Sequence, residues 1–158
     1  MNDLHHPHQP ANRREDLRLI TGRGQYTADL NLPGQLYGYF LRSDRPHAEI
    51  VALATAAAAS MPGVRAIFTG EDALAHGYTQ FQNILTVPGS NGQPIIRPER
   101  PVLAAKRVRH VGDALALVVA DTPFSAQEAA EAIEVTYRDL PAVVDVEQAV
   151  EPGAVQIH

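Results

Sequence analysis

Apolar residues in this chain come in short alternating or clustered runs, and glycine or proline closes nearly every one. Leu17, Leu19 and Ile20 follow Asn12-Arg13-Arg14-Glu15, which has capping-box spacing, so a short helix is expected over 13–21 with Gly22 as its stop. Tyr26 to Leu32 leads into Pro33-Gly34, a turn signal because proline presets φ and glycine accepts a positive one. Gln35 to Arg42 is aromatic and aliphatic and reads as a strand; Ser43-Asp44-Arg45-Pro46 breaks it. Ala48 to Leu53 reads as a second strand, with Ala48, Ile50 and Ala52 on one face. Thr55 is placed as the N-cap of a helix through Ala56–Ala59, ended by Met61-Pro62-Gly63. Val64 to Thr69 is a further strand, and Gly70 to Gly77 one or two helical turns. From Tyr78 to Arg100 periodicity fades, and Pro88-Gly89-Ser90-Asn91-Gly92-Gln93-Pro94 predicts a long loop or exposed hairpin.

The last third is patterned most strongly. Val108 to Val111 predicts a brief strand, and the unbroken apolar run Ala114 to Ala120 one buried on both faces. Thr122-Pro123-Phe124-Ser125 opens a helix in which Ser125 and Glu128 have capping-box spacing and Ala126, Ala129, Ala130 and Ile133 form the apolar stripe. Ile133, Val135 and Tyr137 then alternate as in a strand. Leu140-Pro141-Ala142 breaks the chain, and Val146 to Val150 predicts a last short helix. Strands and helices thus interleave, which predicts an α+β fold of mixed α/β layers rather than a bundle or a sandwich.

Composition narrows the function classes. The 158 residues suffice for one domain with its own core, expected over 13–158 behind a flexible polar tail, 1–12. No apolar run approaches the roughly 18–20 residues of a membrane span, and Met1 to His8 has no apolar stretch of a secretory signal, so a cytoplasmic setting without membrane contact is expected. The absence of cysteine excludes disulfides, a thiolate nucleophile, Cys-ligated zinc and an iron–sulfur cluster held by this chain alone. A net charge of −5 argues against nucleic acid as a partner.

Candidate chemistry is sparse. Thr21-Gly22-Arg23-Gly24 has two of the glycines of a phosphate loop but follows a helix, so a turn is the better reading. His5, His6 and His8 are ligand types, yet they lie in the expected tail; His47, His76, His110 and His158 stand singly. Ser43 with Asp44 and His47 has the residue types of a hydrolytic triad without a Gly-x-Ser-x-Gly elbow. Asp113 reads as a turn residue and Asp121 as helix entry. Arg13, Arg14, Arg18 and Arg23 alternate with Glu15 and Asp16, the pattern of a solvated or partner-facing helix.

The order of short motifs carries more than any one of them. Arg13-Arg14-Glu15-Asp16, Leu19-Ile20-Thr21-Gly22-Arg23-Gly24-Gln25-Tyr26 and Leu32-Pro33-Gly34 are followed by Leu41-Arg42-Ser43 and His47-Ala48-Glu49-Ile50. Met61-Pro62-Gly63-Val64, Phe68-Thr69-Gly70-Glu71-Asp72, Pro101-Val102-Leu103-Ala104 and Val108-Arg109-His110-Val111-Gly112-Asp113 come next. Val118-Val119-Ala120-Asp121-Thr122, Glu134-Val135-Thr136-Tyr137 and Leu140-Pro141-Ala142 complete the series. From Arg13 to His158 this resembles the α/β hammerhead domain of the molybdenum hydroxylase large subunits: xanthine dehydrogenase, aldehyde oxidase and carbon monoxide dehydrogenase. Asp44 stands where many of those proteins have proline after Arg-Ser, and Val111-Gly112-Asp113-Ala114 replaces their commoner Gly-Glu-Pro form.

The resemblance implies a structural and assembly domain of a molybdenum-cofactor-dependent oxidoreductase, inactive alone. The full enzyme would oxidatively hydroxylate an aldehyde, an N-heterocycle or a CO-type substrate. It implies no catalytic, cofactor-binding or metal-binding residue in this chain, because those residues of the family belong to the molybdenum-binding region. The molybdenum–pterin cofactor would sit in that partner domain, with 2Fe–2S clusters and FAD in further subunits or segments, and the isolated domain would tend to self-associate. Two alternatives stand beside this: a free-standing interaction module of the same fold, and a small hydrolase using Ser43 or Ser125.

Overall fold

In the computed structural model, residues 16–81, 88–89, 92–94 and 97–158 are described. The chain divides into two units, Met1–Gln35 and Leu36–His158. In the first, helix α1 spans Asp16–Ile20. Thr21 Oγ1 donates to the Leu17 carbonyl at 2.6 Å, and Gly22 ends the helix at φ +69°. The expected cap at Asn12 and Glu15 lies outside the described residues. A 3₁₀ turn, Thr27–Asp29, follows, its Asp29 carboxylate accepting the Tyr26 N–H at 2.9 Å. The turn at Pro33-Gly34 forms as expected: Gln35 N–H donates to the Leu32 carbonyl, and Gly34 has φ +75°.

The second unit holds six strands and three helices among its described residues: β1 Tyr37–Arg42, β2 Ala48–Ala54, α2 Ala56–Ala59, β3 Val64–Thr69, α3 Gly70–Ala75, β4 Arg107–Val108, β5 Ala114–Ala120, α4 Pro123–Glu131 and β6 Glu134–Asp139. Two antiparallel sheets result, ordered β1-β5-β3 and β4-β2-β6. Neither sheet pairs strands that are consecutive in the chain. The mixed α/β layering is the expected one.

Three one-residue bulges explain where simple alternation fails. Ile50 pairs with Tyr137 and Ala52 with Thr136, so Val51 has no partner residue of its own and parity reverses after it. Leu53 therefore packs inward while Ala52 is exposed, a correction to the expected Ala48–Ile50–Ala52 face. Leu115 is skipped between the Leu41–Ala116 and Arg42–Ala114 pairs and is fully buried with Ala48, Ala104 and Val108. Arg65 is skipped between Val64 and Ala66, and its guanidinium makes two bonds, 2.7 and 2.8 Å, to the Asp121 carboxylate.

The main core lies between β5 and α4, where Ala116 and Val118 meet Ala129, Ala130 and Ile133 under Ala58. Small residues allow this: alanines on both sides bring helix and sheet backbones close. α4 opens within the expected Thr122–Ser125 segment, but its cap is Thr122 and not Ser125. Thr122, in extended backbone, is the N-cap and its Oγ1 accepts the Ser125 N–H at 3.0 Å, with Pro123 at the first helical position, where its fixed φ fits and no N–H is needed. Ser125 thus sits inside the first turn. Thr55, in turn, has helical φ and ψ and makes no capping bond, so it does not cap α2. The expected strand through Val111 is only Arg107–Val108, and the last helix is a 3₁₀ turn, Gln148–Val150. β5 is not sealed on both sides: Ala116, Val118 and Ala120 are inaccessible, whereas Leu117 and Val119 are half-buried.

Candidate functional site

The most enclosed polar group lies where β1 leaves its sheet. Ser43 and His47 are the buried polar side chains among the described residues, each 3% exposed. The Ser43 hydroxyl accepts the Arg45 N–H at 2.9 Å and donates to the Arg45 carbonyl at 3.2 Å, a local turn that ties it to the backbone. His47 donates from Nδ1 to the Pro141 carbonyl at 2.7 Å, while its carbonyl accepts the Leu140 N–H at 3.0 Å. His47 thus fastens the segment after β6 to the segment before β2. Its Nε2 is buried with no hydrogen-bond partner among the described residues.

Around this centre, Arg45 lies 5.8 Å from the Tyr137 ring centroid and within 4 Å of the Asp44 and Asp139 carboxylates. Burial pushes the Tyr137 phenol above its ordinary range, against the opposing pull of the Ser43 hydroxyl. No bond joins Ser43 to His47, and the imidazole is committed to Pro141, so the candidate triad is not assembled. Ser125 fares no better: its hydroxyl accepts from Thr122 Oγ1 at 2.8 Å. Among the described residues, neither serine hydroxyl has a bond to a histidine or carboxylate that could serve as its base.

The remaining candidates have structural employment. Asp113 Oδ2 accepts the Arg109 N–H at 2.9 Å and closes the turn before β5, with Gly112 at φ +93°. Asp121 holds Arg65, and His76 Nδ1 faces the Asp72 carbonyl at the end of α3. Asp72 completes a capping box with Thr69, and these bonds hold its carboxyl below the usual carboxylate range. His5, His6, His8, Arg13 and Arg14 lie outside the described residues. Among the described residues no three His, Asp or Glu side chains converge as metal ligands, and no helix is long and apolar enough to cross a membrane.

One grouping escaped sequence reasoning. Glu49 on the central strand β2 faces Arg107 of β4 and Arg138 of β6 in register, and both guanidiniums bond its carboxylate. The signal would have been strand pairing, which residue spacing does not reveal. The wider surface features are open clefts; that between β1, residues 98–102 and the 109–114 turn measures about 730 Å³. Among the described residues, buried polar groups tied to backbone and ion pairs between strands brace a scaffold with open clefts on its surface.

Comparison with known proteins gives that scaffold its class. Residues 21–141 match the family described as aldehyde oxidase and xanthine dehydrogenase, a/b hammerhead domain, and the chain belongs to it. The chain is 42% identical over 151 residues to a probable xanthine dehydrogenase subunit of Bacillus subtilis (strain 168), covering 95% of this chain and 18% of that protein. It is 37% identical over 142 residues to the carbon monoxide dehydrogenase large chain of Afipia carboxidovorans, covering 90% of this chain and 16% of that one. The crystal structure of quinoline 2-oxidoreductase from Pseudomonas putida 86 superposes with a TM-score of 0.78 at 41% identity, covering 89% of this chain and 17% of that one. The chain therefore spans less than a fifth of the length of each of these relatives.

Proposed function

We propose that this chain is the structural and assembly domain of a molybdenum-cofactor-dependent oxidoreductase, residues 13–158 forming the domain and 1–12 a flexible tail, acting in the cytoplasm. The observation that carries the reading is the family match across residues 21–141, together with relatives described as a xanthine dehydrogenase subunit and a carbon monoxide dehydrogenase large chain. When bound in the complete enzyme, the molybdenum–pterin cofactor supplies the oxidative hydroxylation of an aldehyde, N-heterocycle or CO-type substrate. Among the described residues, Ser43 and His47 are engaged with backbone and no cluster of metal-ligand side chains forms, so no contact to that group is proposed for them. No catalytic step is therefore assigned to them. Their work is to hold a folded wall against a molybdenum-binding domain, with iron–sulfur and flavin subunits beyond it.

A free-standing module should be polar all round, and Phe40 and Phe68, 43% and 44% exposed on one sheet face, count against that alternative. Reading the gene past the codon for His158 tests the proposal. A continuing frame or a neighbouring gene that encodes a molybdenum-binding region is the expected result. A stop codon with no such gene alongside would overturn it, as would stoichiometric molybdenum in the purified chain.

A further inference from the structure

The β1-β5-β3 sheet has one face filled by α4 and another that is apolar and half bare. Directly opposed residues of antiparallel strands point the same way, so the row Phe40–Leu117–Phe68 crosses all three strands on one face, and Gly38–Val119–Ala66 runs beside it. A Cβ at Gly38 would stand 3.2 Å from Leu117 Cδ1, so glycine keeps this row low. α4 takes the opposite face, against Ala116 and Val118. Phe40 and Phe68 keep nearly half of their surface in water although β5 has the composition of a strand buried on both sides.

Charge marks one end of this face. The Arg42 guanidinium lies 5.7 Å from the Phe40 ring centroid and donates to the Gly112 carbonyl at 2.8 Å. Arg42, Arg100 and Arg109 line the 730 Å³ cleft with Phe40, and none of the three forms an ion pair with a described residue. The carboxylates in that cleft are Glu99 and Asp113, the latter bonded to the Arg109 N–H and 3.6 Å from His110 Nδ1.

We propose that this face is the seat of one further segment of the same large subunit, an apolar surface lying on Phe40 and Phe68 with carboxylates meeting Arg42, Arg100 and Arg109. The inference rests on the assembly reading above. More than four-fifths of the length of the matched relatives lies outside the matched segment, which supplies the occupant. Arg42 and Arg109 spend one N–H each on the Gly112 and Ile157 carbonyls, and guanidiniums without a carboxylate partner specify the sign of the occupant's margin.

The test places residues 1–158 in the Bacillus subtilis relative in place of that protein's own matched segment, and compares hydroxyl-radical labelling of the chimera with that of the isolated chain. Phe40 and Phe68 should be labelled about fivefold less in the chimera, while Phe124, 68% exposed on α4, keeps its reactivity. Arg42→Glu with Arg109→Glu in the chimera should return labelling to Phe40, more so at low salt. Equal labelling of Phe40 and Phe68 in a chimera that withstands limited proteolysis at the junction would overturn the choice of face and leave the assembly reading standing. Release of the intact domain from the chimera by protease would remove the assembly reading itself. Protection in the chimera that is lost on dilution would make a second copy the occupant and also overturn the proposal.

Discussion

Gly70→Ala sets two physical effects against each other. Gly70 is the first residue of α3, has no positive φ, and helix propensity alone favours alanine there by up to about 1 kcal/mol. The structure predicts the opposite sign. A Cβ on Gly70 would lie 2.5 Å from Ala105 N and 2.6 Å from both Ala104 C and Ala104 O, well inside ordinary contact. Those neighbours are main chain and cannot rotate away. The Ala104 N–H is also bonded to the Ala114 carbonyl at 2.7 Å, so relief would pull at the start of β5. Overpacking costs about 1–3 kcal/mol, and rigid neighbours put this case at the upper end, about 3 kcal/mol. For a domain of this size that lowers Tm by roughly 10 °C. Urea unfolding followed by far-UV circular dichroism measures it, with Gly77→Ala as comparator. Gly77 has φ +81° and open space around its Cβ direction, so only about 1 kcal/mol of backbone strain is expected there. If Gly70→Ala is as stable as the parent, or no worse than Gly77→Ala, the close approach of α3 to residues 104–105 is wrong.

Glu49→Gln removes the carboxylate shared by Arg107 and Arg138 and should cost about 1 kcal/mol at low ionic strength, less in ~1 M salt; urea midpoints at both conditions check it. Leu115→Ala empties a fully buried bulge position and should cost about 3 kcal/mol with an unchanged urea m-value. Asp72→Ala removes the α3 capping box and should cost about 1 kcal/mol at pH ~7. Because the Asp72 carboxyl is held below its unfolded value, its stabilisation is present above the ordinary carboxylate range near pH ~3.9 and is lost as pH falls through the folded value. Parent and variant stabilities should therefore converge in acid; a gap that stays constant down to pH ~2 would contradict the assignment.

Strand and helix identities were legible wherever composition and chain punctuation agreed. The run Ala114–Ala120 and the stripe Ala126, Ala129, Ala130 and Ile133 became the β5–α4 core because apolar content and length left few alternatives. Register was not legible. The bulges at Val51, Arg65 and Leu115 come from pairing between distant strands, and each reverses the inside–outside parity that local alternation implies. The cap at Thr122 rather than Ser125 is a competition between two hydroxyl residues, decided by proline at the first helical position. The polar centre was half visible. Ser43, Asp44 and His47 stand close in sequence, but only the fold shows that the bonds of Ser43 and His47 go to Arg45 and Pro141 backbone instead of to one another. The Glu49 bridge, spanning strands almost sixty and ninety residues away, left no local trace.

The strand order also governs how the molecule comes into being on a ribosome. β1 and β3 meet no partner until β5 emerges between them, and β2 waits for β4 and β6. From the synthesis of Thr69 to that of Ala114, several seconds at about 5–20 residues per second, neither sheet can close. During that interval Phe40, Leu41, Ile67 and Phe68 belong to strands with open edges, the state most prone to wrong pairing. Closure then comes nearly at once, as residues 107–139 deliver the two edges and the one centre that both sheets lack. The strand order thus makes closure one late, concerted step in place of strand-by-strand growth.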